Sequence, residues 1–125
     1  MARFEGVALA VLRLVIGFMF IQHAAQKVFG VLGGHAMPLS SMPGVAGVIE
    51  LIGSVLIALG LFTRPTAFIL SGEMAAAYFT VHAPRGFWPV ANGGELAVTY
   101  CFLYLYLWTR GAGPISVDAA LGRSR

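Results

Sequence analysis

The chain has 125 residues, 58% of them apolar and only 10% charged, with 16 glycines; an ordinary soluble domain carries about 25% charged residues, so a membrane protein is the class that fits. The formal net charge of +3 is spread over the loops, which argues against nucleic acid and suits contact with anionic lipid headgroups. The single cysteine, Cys101, excludes an intrachain disulfide and CxxC dithiol chemistry.

Spans of about 20 residues leave room for four helices in one domain over residues 1–125, with no separate soluble part. The first span is expected at about 7–29, VALAVLRLVIGFMFIQHAAQKVF. Arg13 lies inside it, where the uncharged stretch of a cleavable signal would have to be, and this disfavours a secretory leader. Residues 30–43 form a connector rich in Gly, Ser, Met and Pro. The second span, about 44–62, runs from a proline-glycine turn to the Arg64-Pro65 pair, and at roughly 1.5 Å per residue it matches the ~30 Å hydrocarbon core of a bilayer. It carries one carboxylate, Glu50, which is costly there unless it faces protein or water.

Pro65 ends one helix and begins the next, so the third span, about 66–83, makes an antiparallel hairpin with the second. Residues 84–94 are a loop with Phe87-Trp88 suited to the headgroup level. The fourth span, about 95–109, is aromatic, with Tyr106 and Trp108 as an interfacial belt and the run from Tyr100 to Trp108 read as lipid contact. A tail closes the chain. Arg3, Arg64, Arg110, Arg123 and Arg125 fall at one end and Lys27 and Arg85 at the other; the first set is expected in the cytoplasm, with both termini. The fold expected is all-α, a bundle of four transmembrane helices.

Helical spacing sorts the polar groups. Arg13, Phe20, His23 and Lys27 share one stripe of the first helix. Glu50 shares its stripe with Ala46, Gly53, Ser54 and Ile57, small enough for a neighbouring backbone to come close. Glu73 lies with Ala76, Ala77 and Thr80, while His82 projects to the opposite side. Glu95 shares a face with Thr99, Phe102 and Tyr106. Arg13 and Glu73 have similar apparent depth near the cytoplasmic side, which predicts a structural ion pair. His23, Lys27, Glu50, Glu95 and His82 fall in the outer half and are expected to converge on a polar chamber. Two readings stay open for it: a hydrogen-bonded plug that fixes helix register, or a pocket that binds and protonates a carbonyl compound such as a quinone. The HxxxH and ExxH spacings of a di-metal bundle are missing, so no metal is assigned. His35 belongs to a glycine-rich loop and is expected in solvent, and Gly33-Gly34 and Gly93-Gly94 lack the strand and helix context of a phosphate loop.

Taken in order, LRLVIGFMFIQHAAQKVFG, GVIELIGSVLIALGLFTRPTA, NGGELAV and GAGPISVDAAL resemble the DoxX family of small four-helix membrane proteins over nearly the whole chain. The match rests on the Arg13, His23 and Lys27 spacing, Glu50 before a glycine-rich half-helix, the Thr63-Arg64 turn, Gly94-Glu95 and the Ser116/Asp118 tail; many relatives have glycine where this chain has Ala24. The resemblance implies a multi-pass protein of the inner (plasma) membrane, discussed with quinone-linked sulfur oxidation or quinone and oxidative stress. The expected function is that of a membrane component of such a redox system. Glu50 and His23 would hydrogen-bond a quinone and exchange protons, Lys27 would stabilise negative charge, and Glu95 and His82 would complete the pocket. No covalent cofactor is implied. Electrons would come from a soluble oxidoreductase partner or be carried by the quinone, and the small-residue stripe Ala46, Gly53 and Gly60 offers a face for a homo-oligomer. A non-enzymatic scaffold for a soluble oxidoreductase and a small-solute transporter are the rival readings, the latter opposed by the lack of an inverted repeat.

Overall fold

In the computed structural model, which describes residues 1–122, the first apolar run is one unbroken helix, α1 (Ala2–Phe29). It starts before position 7 because nothing in residues 2–6 breaks a helix, and it stops at Gly30, whose φ of 70° supplies the left-handed cap. The connector ends at Ser41, whose hydroxyl accepts a hydrogen bond from the Gly44 amide at 3.2 Å. That cap, with Pro43 in the first turn where a missing N–H is harmless, starts α2 (Met42–Leu59). Gly60, again at φ 70°, closes it. Both α1 and α2 are long and apolar enough to cross a membrane.

The turn after α2 is tighter than the sequence suggests. Phe62 takes a left-handed conformation, φ 50°, and α3 (Thr63–Ala77) begins at once, ahead of 66. It continues through a π-helical turn, Tyr78–His82, and a 3₁₀ turn, Ala83–Arg85. A short α4 (Pro89–Asn92) precedes α5 (Glu95–Arg110), and the tail holds one last turn, α6 (Val117–Ala120). Arg123 and Arg125, counted toward the basic end, lie outside the described residues.

The four long helices pack as two close pairs, α1 on α2 and α3 on α5, joined by the α2–α3 hairpin. At Gly17 a β-carbon would stand 2.9 Å from the Ser54 carbonyl oxygen and 3.0 Å from the Ala58 Cβ, so glycine sets how close α1 and α2 come. Phe20, Ile57, Leu70, Tyr104 and Leu107 form the centre of the core. Phe20 meets Tyr100 and Tyr104 edge-on, with centroids 5.0 and 5.4 Å apart. Large apolar side chains such as Phe18, Phe68, Phe79 and Phe102 point outward, as expected where the solvent is lipid. The fourth helix is therefore divided: Tyr100 and Tyr104 are buried, and only Phe102, Tyr106 and Trp108 are on the outer surface.

The N-terminal end of α1, the α2–α3 turn and the tail meet at one end of the bundle, where Arg13 organises them. Its guanidinium is 2% exposed and donates to the carbonyls of Ile57 at 3.3 Å and Ala58 at 3.2 Å, and to that of Ile115. Those α2 carbonyls are among the last of the helix, where only the Gly60 N–H reaches Ile57 O, at 3.1 Å, and the helix dipole favours a cation there. Asp118 completes the clasp. Its carboxylate accepts from the amides of Phe62 at 2.8 Å and Thr63 at 3.0 Å, its own amide donates to Gly60 O at 2.8 Å, and it attracts Arg13 electrostatically. Gly60 is pinned between them: a β-carbon there would collide with Arg13 and with Ser116.

The expected Arg13–Glu73 ion pair is therefore not formed. Because α3 starts at Thr63, Glu73 lies level with Glu50 across the hairpin, whereas Arg13 lies level with Ile57 and Ala58. Seven residues of helix, about 10 Å, separate Ile57 from Glu50. A second ion pair, Arg110 to Glu5 at 3.4 Å, ties α5 to the start of α1; with Glu5 largely exposed it contributes little.

Candidate functional site

At the opposite end, beneath the 84–94 loop, the helices leave a cavity of about 290 Å³. The α1 stripe delivers Phe20, His23 and Lys27 to it, α2 delivers Glu50, α3 Met74 and Ala77, and α5 Ala97 and Tyr100. Lys27 Nζ donates to Glu50 Oε2 at 2.7 Å. Glu50 is only 1% exposed while the Lys27 side chain is 34% exposed, so the ammonium lies between the buried carboxylate and the cavity mouth. A buried carboxylate is tolerated because this cation and the surrounding dipoles replace its lost hydration.

His82 reaches the cavity by a local irregularity. On a regular α-helix it would lie about 140° round from Ala77, five residues earlier. The π-helical turn between them, closed by hydrogen bonds five residues apart, brings Ala77 and His82 to the same wall. His82 Nδ1 lies 3.2 Å from the Asn92 carbonyl oxygen and must be the donor there, because a carbonyl oxygen only accepts. Asn92, 2% exposed, holds the loop. Its Nδ2 donates to the Tyr78 hydroxyl at 3.1 Å and to Gly86 O at 2.9 Å, and its Oδ1 accepts from the Gly94 amide at 2.8 Å.

Of the residues predicted to converge, His23, Lys27, Glu50 and His82 line the cavity. Glu95 does not. It is the first residue of α5 and exposed, on the same outward face as Thr99, Phe102 and Tyr106; the inward face is Ala97, Tyr100, Tyr104 and Leu107. The spacing correctly grouped Glu95 with those residues but assigned the group to the wrong side, since aromatic side chains suit lipid as well as core. His35 is exposed in the connector.

Three groups beside the cavity have roles other than the sequence suggests: Tyr100 and Tyr104, expected against lipid, and Glu73, expected to pair with Arg13. Tyr100 and Tyr104 stack four residues apart, with centroids 6.0 Å apart, and both hydroxyls are buried without a hydrogen-bond partner among the described residues. The lipid-facing Phe102 and Tyr106 have the same i, i+4 spacing, so only the packing against Phe20 sets Tyr100 and Tyr104 apart. Glu73 is the third. Both its carboxyl oxygens are buried with no donor among the described residues, and the Glu50 carboxyl lies beside them. Among the described residues, no three His, Cys, Asp or Glu side chains gather as metal ligands would.

A family model described as DoxX matches residues 8–83. An uncharacterized protein of Haemophilus influenzae is 50% identical over 117 residues, covering 88% of this chain and 87% of that protein. A second uncharacterized protein of the same organism is 29% identical over 128 residues, covering 94% and 85% of the two chains. No solved structure matches.

Proposed function

Because the chain belongs to the DoxX family of membrane proteins, we propose that it is a multi-pass protein of the inner membrane, with both termini in the cytoplasm, that serves a redox or quinone-stress system by binding a quinone or similar small carbonyl compound in the outer cavity. The observation that supports this is the convergence of His23, Lys27, Glu50 and His82 on one cavity of about 290 Å³, small for a ligand site but wide enough for a single ring. Lys27 is placed to donate to a ligand oxygen and to stabilise negative charge on it; His23 and Glu50 are the groups that exchange protons there. Phe20 and Met74 give the ring an apolar wall. Electron supply falls to a soluble oxidoreductase, docking at the basic end where Arg3, Arg64 and Arg110 lie.

The test is thermal stabilisation of the purified protein by a benzoquinone with a short prenyl tail. Wild type and Glu95→Gln are expected to gain equally, and Glu50→Gln and His23→Ala to bind at least tenfold more weakly. A gain unchanged in both of the latter variants sinks the site.

A further inference from the structure

We propose that Glu50 and Glu73 share one exchangeable proton, which makes the centre of the bundle a proton-binding site directly beneath the cavity. This stands apart from the quinone reading, since it needs no ligand. The observation is a buried acid that lacks a donor and lies beside a second buried acid, itself already matched by Lys27. The Glu73 carboxyl lies beside that of Glu50, yet among the described residues no donor serves either of its oxygens. Two carboxylates cannot hydrogen-bond one another; a carboxylic acid and a carboxylate can, and the bond they form is among the shortest and strongest available to side chains.

Charge counting leads to the same result. The groups that face the pair are Lys27 from α1, Glu50 from α2, Glu73 from α3 and the hydroxyls of Tyr100 and Tyr104 from α5, with His23 and His82 further out around the cavity. Lys27 matches one carboxylate at 2.7 Å. A second carboxylate would leave a net negative charge in a low-dielectric interior, where an unmatched ion is prohibitive. One proton restores neutrality. The tyrosine hydroxyls, buried and without partners among the described residues, supply donors on the α5 side, and Tyr100 also lines the cavity, so an internal water between them and Glu73 would connect the proton to the ligand side.

The pair then has a use. A ligand oxygen that draws Lys27 away from Glu50 removes the positive charge on which the pair depends, and the pair responds by taking up a second proton, so that occupancy of the cavity and protonation of the bundle are linked.

Infrared difference spectroscopy of the protein without ligand decides the matter. Wild type near neutral pH is expected to show the carbonyl stretch of an un-ionised carboxylic acid, shifted on exchange into D2O. Glu73→Gln and Glu50→Gln are each expected to abolish it, because the remaining carboxylate is matched by Lys27 alone, while Glu5→Gln leaves it in place. No such band in wild type overturns the proposal whatever the variants do. A band that survives in both glutamine variants belongs to another acid and overturns it equally, as does one that sodium ions remove in proportion to their concentration, since the site would then take a metal cation.

Discussion

Replacing Arg13 by alanine is expected to destabilise the bundle by about 3–5 kcal/mol, the scale for removing one partner of a buried charged network. The carbonyls of Ala58 and Ile115 lose the guanidinium donor together, Ile57 O keeps only the Gly60 N–H at 3.1 Å, and Asp118, 4% exposed, loses its cation. Each orphaned acceptor costs desolvation that no water repays. Arg13→Lys is expected to recover less than half of the loss, since one ammonium cannot span acceptors on α2 and on the tail as a guanidinium fork does. Asp118→Asn should cost about 1–2 kcal/mol, because the amide oxygen still accepts from one backbone N–H. The measurement is reversible unfolding in mixed micelles titrated with sodium dodecyl sulfate. A double-mutant cycle assigns the partner: Arg13→Ala and Asp118→Asn should couple, whereas Arg13→Ala and Glu73→Ala, about two helical turns apart, should add. Coupling in the second cycle but not the first would reverse that assignment.

Lys27→Ala is expected to cost about 3 kcal/mol, at the low end of the range because the ammonium is one-third exposed. The loss comes from what stays behind, a Glu50 that is 1% exposed and beside another acid, and that must either stay an unmatched carboxylate or take up a proton at a cost. The double variant Lys27→Ala with Glu50→Gln should therefore be more stable than Lys27→Ala alone, since an amide is cheaper to bury than an unpaired charge. If the second change instead adds to the loss, Lys27 acts through the packing of its aliphatic stem. That stem passes Gly47, where a β-carbon would stand 2.9 Å from Lys27 Cβ, so Gly47→Ala serves as a control for packing with the charges intact.

What could be read before the fold was known depended on the distance over which each physical effect acts. Four apolar helices, the proline-glycine start of α2, the break at Pro65 and the α1 stripe of Phe20, His23 and Lys27 are local: they follow from breakers and a period of 3.6 residues, and the residues concerned are neighbours in sequence. Glu50 was legible for a related reason, since a carboxylate in an apolar span flanked by Gly53 and Ser54 has to face protein. The Asn92 hub was not, because a single asparagine in a glycine-rich loop looks like a turn residue until its four partners surround it.

Three things were decided only in the folded bundle. The start of α3 at Thr63, three residues ahead of 66, shifts Glu73 by about 4.5 Å along the helix and places it level with Glu50. Meanwhile α1, which begins at Ala2, runs past the α2–α3 turn and leaves Arg13 at the end of α2 beside Asp118. A helix that is apolar and aromatic on every side does not announce its inner face, so Tyr100 was hidden and Glu95 misplaced until α3 packed on α5. The π-helical turn that carries His82 to the cavity has no local signature here at all. Which residues carry charge in the apolar spans is settled by the chain's own order; how deep each lies and which of them meet was determined by helix rotation and register, quantities that a chain acquires only by packing against itself.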